Sequence, residues 1–404
     1  MRVAAAKAIM RPAHPFSKLP RGIATMTRLR TLLSLLAILP WTTIAPAAEE
    51  PAKPNAALCY WPMCLEFHTT PWSDADREIL FKPVEAAMDD ETGRVLGWCG
   101  RYLRELHRGA AMPHCDWQVD WSGGPWTLLP HVQNMRPLAG VFILRARYFL
   151  SKRQSDFASE DLADALTLGR HLAIDGAVPG FLVQLKLQTS AAQVAADNFD
   201  RFDRPALMLL SKRLDALPPA VQAASTIGML KETSLGWLRR ELPQRGTEAV
   251  KPAVLYGWFD KSDSELLDEL LSGTQEEVLG RVADGERMHD LAAELLELPP
   301  DEFDDAYATI VKEAEASGPL TARWLRDTQV KRLRDCEVEG QAKFAMLRAA
   351  LAIASSGVDA LSQFPDPYGD GPFELTSDDE GFDLKSKLVV DQKPVQLRFR
   401  RALP

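Results

Sequence analysis

The densest run of side chains able to do chemistry lies between residues 114 and 131: His114, Asp116, Trp117, Asp120, Trp121, Trp126 and His131. Indole faces beside carboxylates suit sugar stacking, and a pair of carboxylates suits glycoside hydrolysis. Asp116, Asp120 and His131 are therefore the candidate catalytic groups, and Trp117, Trp121 and Trp126 the candidate binding groups. The same residues have a structural reading, which carries more weight. Tryptophan is usually well buried, and Asp in a Gly- and Pro-rich stretch commonly accepts bonds from nearby backbone N–H groups. On that reading the indoles pin an irregular segment onto a larger body. Trp61, Trp72 and Trp98 lie close by in sequence.

Elsewhere the chain offers little chemistry. It has no Walker loop, G-x-G-x-x-G, H-E-x-x-H, G-x-S-x-G or C-x-x-C. Glu286 and His289 form one Glu-x-x-His, but a di-iron bundle needs two such motifs and two further Glu. The single copy reads as an exposed helix face. His171 sits near an expected helix end, where a protonated imidazole favours the helix dipole. Cys59, Cys64, His68, His114 and Cys115 could ligate zinc, yet their spacings match no zinc module. No metal or other cofactor is expected. Cys59, Cys64, Cys99 and Cys115 cluster before residue 116 and are the disulfide candidates. Cys336 stands alone on an apolar helix stripe and is expected to be a buried thiol.

The N-terminus supplies the reason for expecting disulfides. The first 47 residues hold seven Lys or Arg and no acid. Met26–Arg30 is charged, Thr31–Leu39 is apolar, and Ala45-Pro46-Ala47 follows as an A-x-A pattern. That order reads as a secretory signal peptide with an extended basic N-region, so a periplasmic or secreted protein is expected. The apolar run is too short to span a bilayer, which needs roughly 20 residues. No stable membrane insertion is expected after cleavage. Cleavage after Ala47 leaves 40 basic against 56 acidic residues, a net charge of −16. Such a surface repels phosphate backbones and anionic lipid, which argues against nucleic acid as a partner.

The elements that must position these groups read as mainly α. Residues 48–72 read as a tether and a turn-rich entry segment, and 73–356 as a helical domain. Ser73 and Asp76, Ser262 and Glu265, and Thr274 and Glu277 have capping-box spacing. A first helix is expected to about His107, broken near Pro83 or Gly93. Met135, Ala139, Phe142, Ala146 and Phe149 form one apolar stripe, and Ala158, Leu162, Ala165, Gly169 and Leu172 another. The short break Arg153–Ser155 between them makes an antiparallel hairpin, weakly tetratricopeptide-like. Residues 260–305 hold 16 Asp or Glu against three Lys or Arg and read as acidic helices. A long helix is expected over about 321–355. Residues 357–404 change character. Phe373 with Leu375, Phe382 with Leu384, and Val395, Leu397 and Phe399 alternate around turns, as in a small β-hairpin or meander.

Two stretches carry a resemblance. One is Cys115-Asp116-Trp117, Thr127-Leu128-Leu129-Pro130-His131 and the helical hairpin through Leu172. The other is a long helix leading into Asp366-Pro367-Tyr368, Pro372-Phe373 and Gly381-Phe382. Together, over about half the chain, they resemble a group of exported bacterial helical proteins with no assigned function. The second stretch is also similar to the C-terminal end of type II secretion pseudopilins, where a DP-aromatic-G turn precedes a strand. The hydrophobic, Glu-bearing N-terminal helix of pseudopilins is not found in this sequence, so the ending reads as a shared hairpin. The function expected from these observations is a non-enzymatic, protein-binding or scaffold role on helix-hairpin surfaces. The alternative is a glycan-binding protein or hydrolase with its site at 114–131.

Overall fold

The computed structural model describes residues 53–82, 87–251 and 264–400. The signal-peptide reading and the Ser262–Glu265 capping box lie outside the described residues. The described chain is mainly helical, with a three-stranded antiparallel sheet at its end, as the sequence pattern predicts.

Local chemistry explains most helix boundaries. Helix α2 (Asp74–Leu80) opens on the Ser73–Asp76 capping box, and α11 (Gln275–Glu297) on the Thr274–Glu277 box. In each, two N–H groups that the helix cannot satisfy find side-chain acceptors. Helices α4 (Pro130–Ser151) and α5 (Ser155–Ala173) form the expected hairpin. Helix α6 (Val178–Asp197) returns along α5, and α7 (Arg204–Asp215) closes the layer. The stripe residues Met135, Ala139, Phe142 and Ala146 are fully buried, as are Ala158, Leu162, Ala165 and Leu172.

Two expectations about elements fail, and a third is met at one of its two positions. The entry segment contains a helix, α1 (Ala57–Thr69), whose Tyr60, Cys64 and Phe67 are buried in the core. Pro62 inside it removes one intrahelical bond without ending the helix. The first helix is broken, as expected, into α2 and α3 (Asp90–Ala110); the break falls before Asp90, and Gly93 lies inside α3 under the Tyr148 ring. The expected long helix is also two, α13 (Pro319–Asp327) and α14 (Val330–Ser356). Gln329, at φ 48°, turns the chain between them.

Two apolar clusters share α6 and α14. The first gathers α1, α3, α4, α5 and α7 with the C-terminal sheet. The second gathers α8 (Ala223–Lys231), α9 (Trp237–Arg245), α10 (Ser264–Leu271), α11, α12 (Pro300–Ser317) and α13. Leu185 faces the second cluster and Leu187 the first, because residues two apart on a helix point about 200° apart. The sheet runs β1 (Glu374–Ser377), β2 (Phe382–Val390) and β3 (Lys393–Phe399) in that order. Phe382 pairs with Phe399 and Leu384 with Leu397, all buried against the helices. Asp378 accepts from the N–H groups of Glu380 and Gly381 and so closes the first turn.

Candidate functional site

The segment 114–131 is built as a strap. Its first residues clasp the start of α1: the Ala56 N–H donates to the His114 carbonyl, and the Asn55 side chain bonds both the N–H and the carbonyl of Asp116. Trp117 is 4% exposed. Its ring stacks on Tyr60 at 5.7 Å and on His131 at 4.7 Å, and Trp61 meets it edge-on. Its Nε1–H donates to the His171 carbonyl at 2.7 Å. Further along, Gly124 adopts φ 59°, and a Cβ there would lie 2.2 Å from the Trp237 ring. Trp237 in turn donates from Nε1 to the Ser122 carbonyl. One end of the strap therefore sits in the first cluster and the other against the second.

The two carboxylates face outward and serve the backbone. Asp116 Oδ1 accepts from the Gln118 N–H at 2.8 Å, and Asp120 Oδ1 from the Ser122 N–H at 2.9 Å. The Ser122 backbone bond, followed by its side-chain bond, holds Asp120 below its ordinary pKa. His131 lies elsewhere, buried under Trp117 with Nε2 3.4 Å from Asp175. Trp121 is half-buried and Trp126 is 51% exposed. Asp116, Asp120 and His131 line neither of the two cavities described below.

Other histidines are likewise fixed by their surroundings. His171 was expected to favour the helix dipole as a cation. Instead it is buried and bonded through Nδ1 to the Tyr60 hydroxyl, and burial pushes its pKa down to about 4. His107 is opposed by its own burial, but bonds to Asp161 and Asp164 outweigh that penalty and raise it to about 9. Arg145 pairs with Asp161, and Arg213 with Asp164, so the network ties α3, α4, α5 and α7. A general base works best with a pKa near the operating pH; His107, held protonated, is a structural cation.

The disulfide expectation is overturned, since all five cysteines are free thiols. Helix geometry gives one reason. Cys59 and Cys64 are five residues apart on α1, which places their Cα atoms roughly 8–9 Å apart, beyond the reach of a bridge at about 7 Å. Burial pushes the Cys64 thiol up to about 11, and Cys99 and Cys115 up to about 12. Cys336, expected to be buried, is half-buried.

Sequence reasoning missed two concave features. One is a polar cavity of about 280 Å³ lined by Ser234, His289, Arg323, Trp324 and Asp327, among others. A π-turn, Glu232–Gly236, and the left-handed Gln329 border it. His289 is buried there, with Nδ1 bonded to the Gly285 carbonyl at 2.9 Å. This corrects the exposed-face reading, and Glu286 pairs with Arg239 instead.

The other is larger. Helices α4 and α6, the end of α2 and the first turn of α14 enclose a groove of about 590 Å³. Its floor is aliphatic: Val132, Ile143, Leu144, Leu182, Val183 and Leu187. Five cations, Lys82, Arg136, Arg147, Lys186 and Arg332, line it, and among the described residues no Asp or Glu does. Lys82 is bonded to Asp89 at 2.8 Å. Arg136, Lys186 and Arg332 have no ion-pair partner among the described residues. The available signal was a second stripe on α4 (Val132, Arg136, Gly140, Leu144, Arg147), at helical spacing and arginine-flanked. Among the described residues no cluster of His, Cys, Asp and Glu could hold a metal ion. No helix among them is long and apolar enough to cross a membrane. No protein-family model, curated protein or solved structure matches the chain.

Proposed function

We propose that this chain is a non-enzymatic, exported binding protein whose helical body is the scaffold for one cationic, apolar groove. The observation that carries the reading is the lining of that groove: an aliphatic floor, five cations and, among the described residues, no carboxylate, in a chain of net charge −9. Ligand sites are concave, mostly apolar and equipped with a few placed polar groups. The groove's volume lies within their usual range of roughly 300–1,000 Å³. The groove is preferred to the alternative site at 114–131, where both carboxylates accept from neighbouring N–H groups and the central indole is buried.

Gly140 gives the test. It lines the groove, and a Cβ built on it meets no atom within 4 Å. Gly140→Leu projects four carbons into the groove and also replaces a glycine inside α4, so stability should rise by about 0.8 kcal/mol. Binding of an anionic, environment-sensitive dye such as anilinonaphthalene sulfonate should fall at least tenfold in this variant. Unchanged dye binding in a Gly140→Leu protein that melts no lower than the parent sinks the reading.

A protein-contact role on a helix face remains as a second reading, and one observation favours it. Leu58 and Leu65, seven residues apart on α1, are 71% and 69% exposed on the same face. Leu58→Gln with Leu65→Gln should abolish self-association or partner capture if that face is used. Sedimentation of the parent and the double variant at matched concentrations reads the first of these directly.

A further inference from the structure

We propose that the groove takes a single-chain fatty carboxylate, its tail on the aliphatic floor and its head among the arginines and lysines. This rests on the groove being the binding site. Three features select the ligand. The first is charge: among the described residues the lining holds five cations and no acid, and Arg136, Lys186 and Arg332 have no carboxylate partner. Arginine forks match a carboxylate with two parallel N–H···O bonds. The second is volume. At about 590 Å³ the groove is the size of a small-molecule pocket, roughly 300–1,000 Å³, which suits one acyl chain. A helix of ~10 Å diameter occupies roughly 400 Å³ per turn, so a helical peptide would place little more than one turn inside. The third is donor balance. Five of the lining side chains only donate hydrogen bonds, and Gln133 and Ser190 supply the remaining polar ones. An extended peptide would leave its N–H groups short of acceptors, whereas a carboxylate needs only donors.

Titration calorimetry on the purified protein with octanoate, decanoate, dodecanoate, dodecanol and dodecyl phosphate tests this. Each added pair of methylenes should tighten carboxylate binding about 15-fold until the groove is filled. Arg136→Gln with Lys186→Gln should weaken dodecanoate at least tenfold and leave dodecanol unchanged; both residues are outside the buried core, so the fold is expected to survive. A gain below threefold per pair, equal loss of dodecanoate and dodecanol, or tenfold tighter binding of dodecyl phosphate overturns the assignment. An acidic amphipathic peptide that binds where dodecanoate does not also overturns it. If no carboxylate binds but Gly140→Leu still abolishes dye binding, this inference fails and the binding-protein reading stands. If dye binding survives Gly140→Leu, both fall.

Discussion

Trp117→Ala is the sharpest probe of how the strap works. The side chain is 4% exposed, stacks against Tyr60 and His131, and donates to the His171 carbonyl at 2.7 Å. Truncating a buried indole costs about 3–5 kcal/mol. The cost should fall near the upper end, because the orphaned His171 carbonyl is left in an apolar site where an unmade bond is itself expensive. With about 350 folded residues and roughly 2.1 cal/mol/K each, the unfolding entropy is near 0.7 kcal/mol/K. A loss of 4–5 kcal/mol then lowers the melting temperature by about 5–7 °C. Differential scanning calorimetry of the parent and variant, with dye binding measured on both, is the assay. A variant that melts within about 1 °C of the parent refutes the structural account of the strap. So does a variant that loses a glycan ligand while keeping its melting temperature.

Three further outcomes are expected. Gly124→Ala forces a side chain into a positive-φ position against the Trp237 ring and should cost about 2–4 kcal/mol, while Gly123→Ala, where a Cβ has only the Thr127 hydroxyl at 3.4 Å, should be near neutral in denaturant titrations. His107 has a folded pKa of about 9, above its unfolded value, so its contribution is full below about pH 6.5 and is lost as pH rises through the folded value. The stability gap to His107→Gln should therefore be at most about 3 kcal/mol larger in mild acid than above about pH 10; a gap that widens with pH contradicts the Asp161–Asp164 account. All five thiols should titrate in denaturant without reductant, and native protein should alkylate little at neutral pH; fewer than five thiols in denatured, unreduced protein would restore a disulfide.

Periodicity made the centre of the fold legible. The stripes at 135–146 and 158–172 demand one buried face each, and a three-residue break leaves only an antiparallel return. The terminal strands were legible because Phe382, Leu384, Val395, Leu397 and Phe399 alternate, and the pairing buries them together. Helix α1 was not, because its apolar residues go nearly all round and Pro62 sits inside it. The break at Gln329 escaped because its left-handed turn is made by Gln rather than by Gly or Asn. Clustering of four cysteines in sequence suggested bridges, but a helix separates residues five apart and directs them to different faces. The strap residues were found, and their structural role was anticipated from the Gly and Pro around them. The groove was not found, since its cations run from Lys82 to Arg332 and only tertiary packing brings them to one hollow.

Composition and groove then bear on one question, which anions this chain can accept. The whole chain carries −9, yet one hollow presents cations and, among the described residues, no carboxylate. Charges in solution are screened beyond about 8–10 Å at physiological salt. A nucleic acid or an anionic bilayer extends far past that distance from the groove, so most of its charge faces the acidic body and is repelled. A small amphiphile differs. Once inside the hollow, its single charge lies within a screening length of Arg136, Lys186 and Arg332, and its tail leaves water against Ile143, Leu144 and Leu187. On the proposed reading the acidic surface discriminates by ligand size where the groove discriminates by charge. On that reading the two features act together, and neutralising the acidic surface should admit polyanions without changing affinity for the small carboxylate.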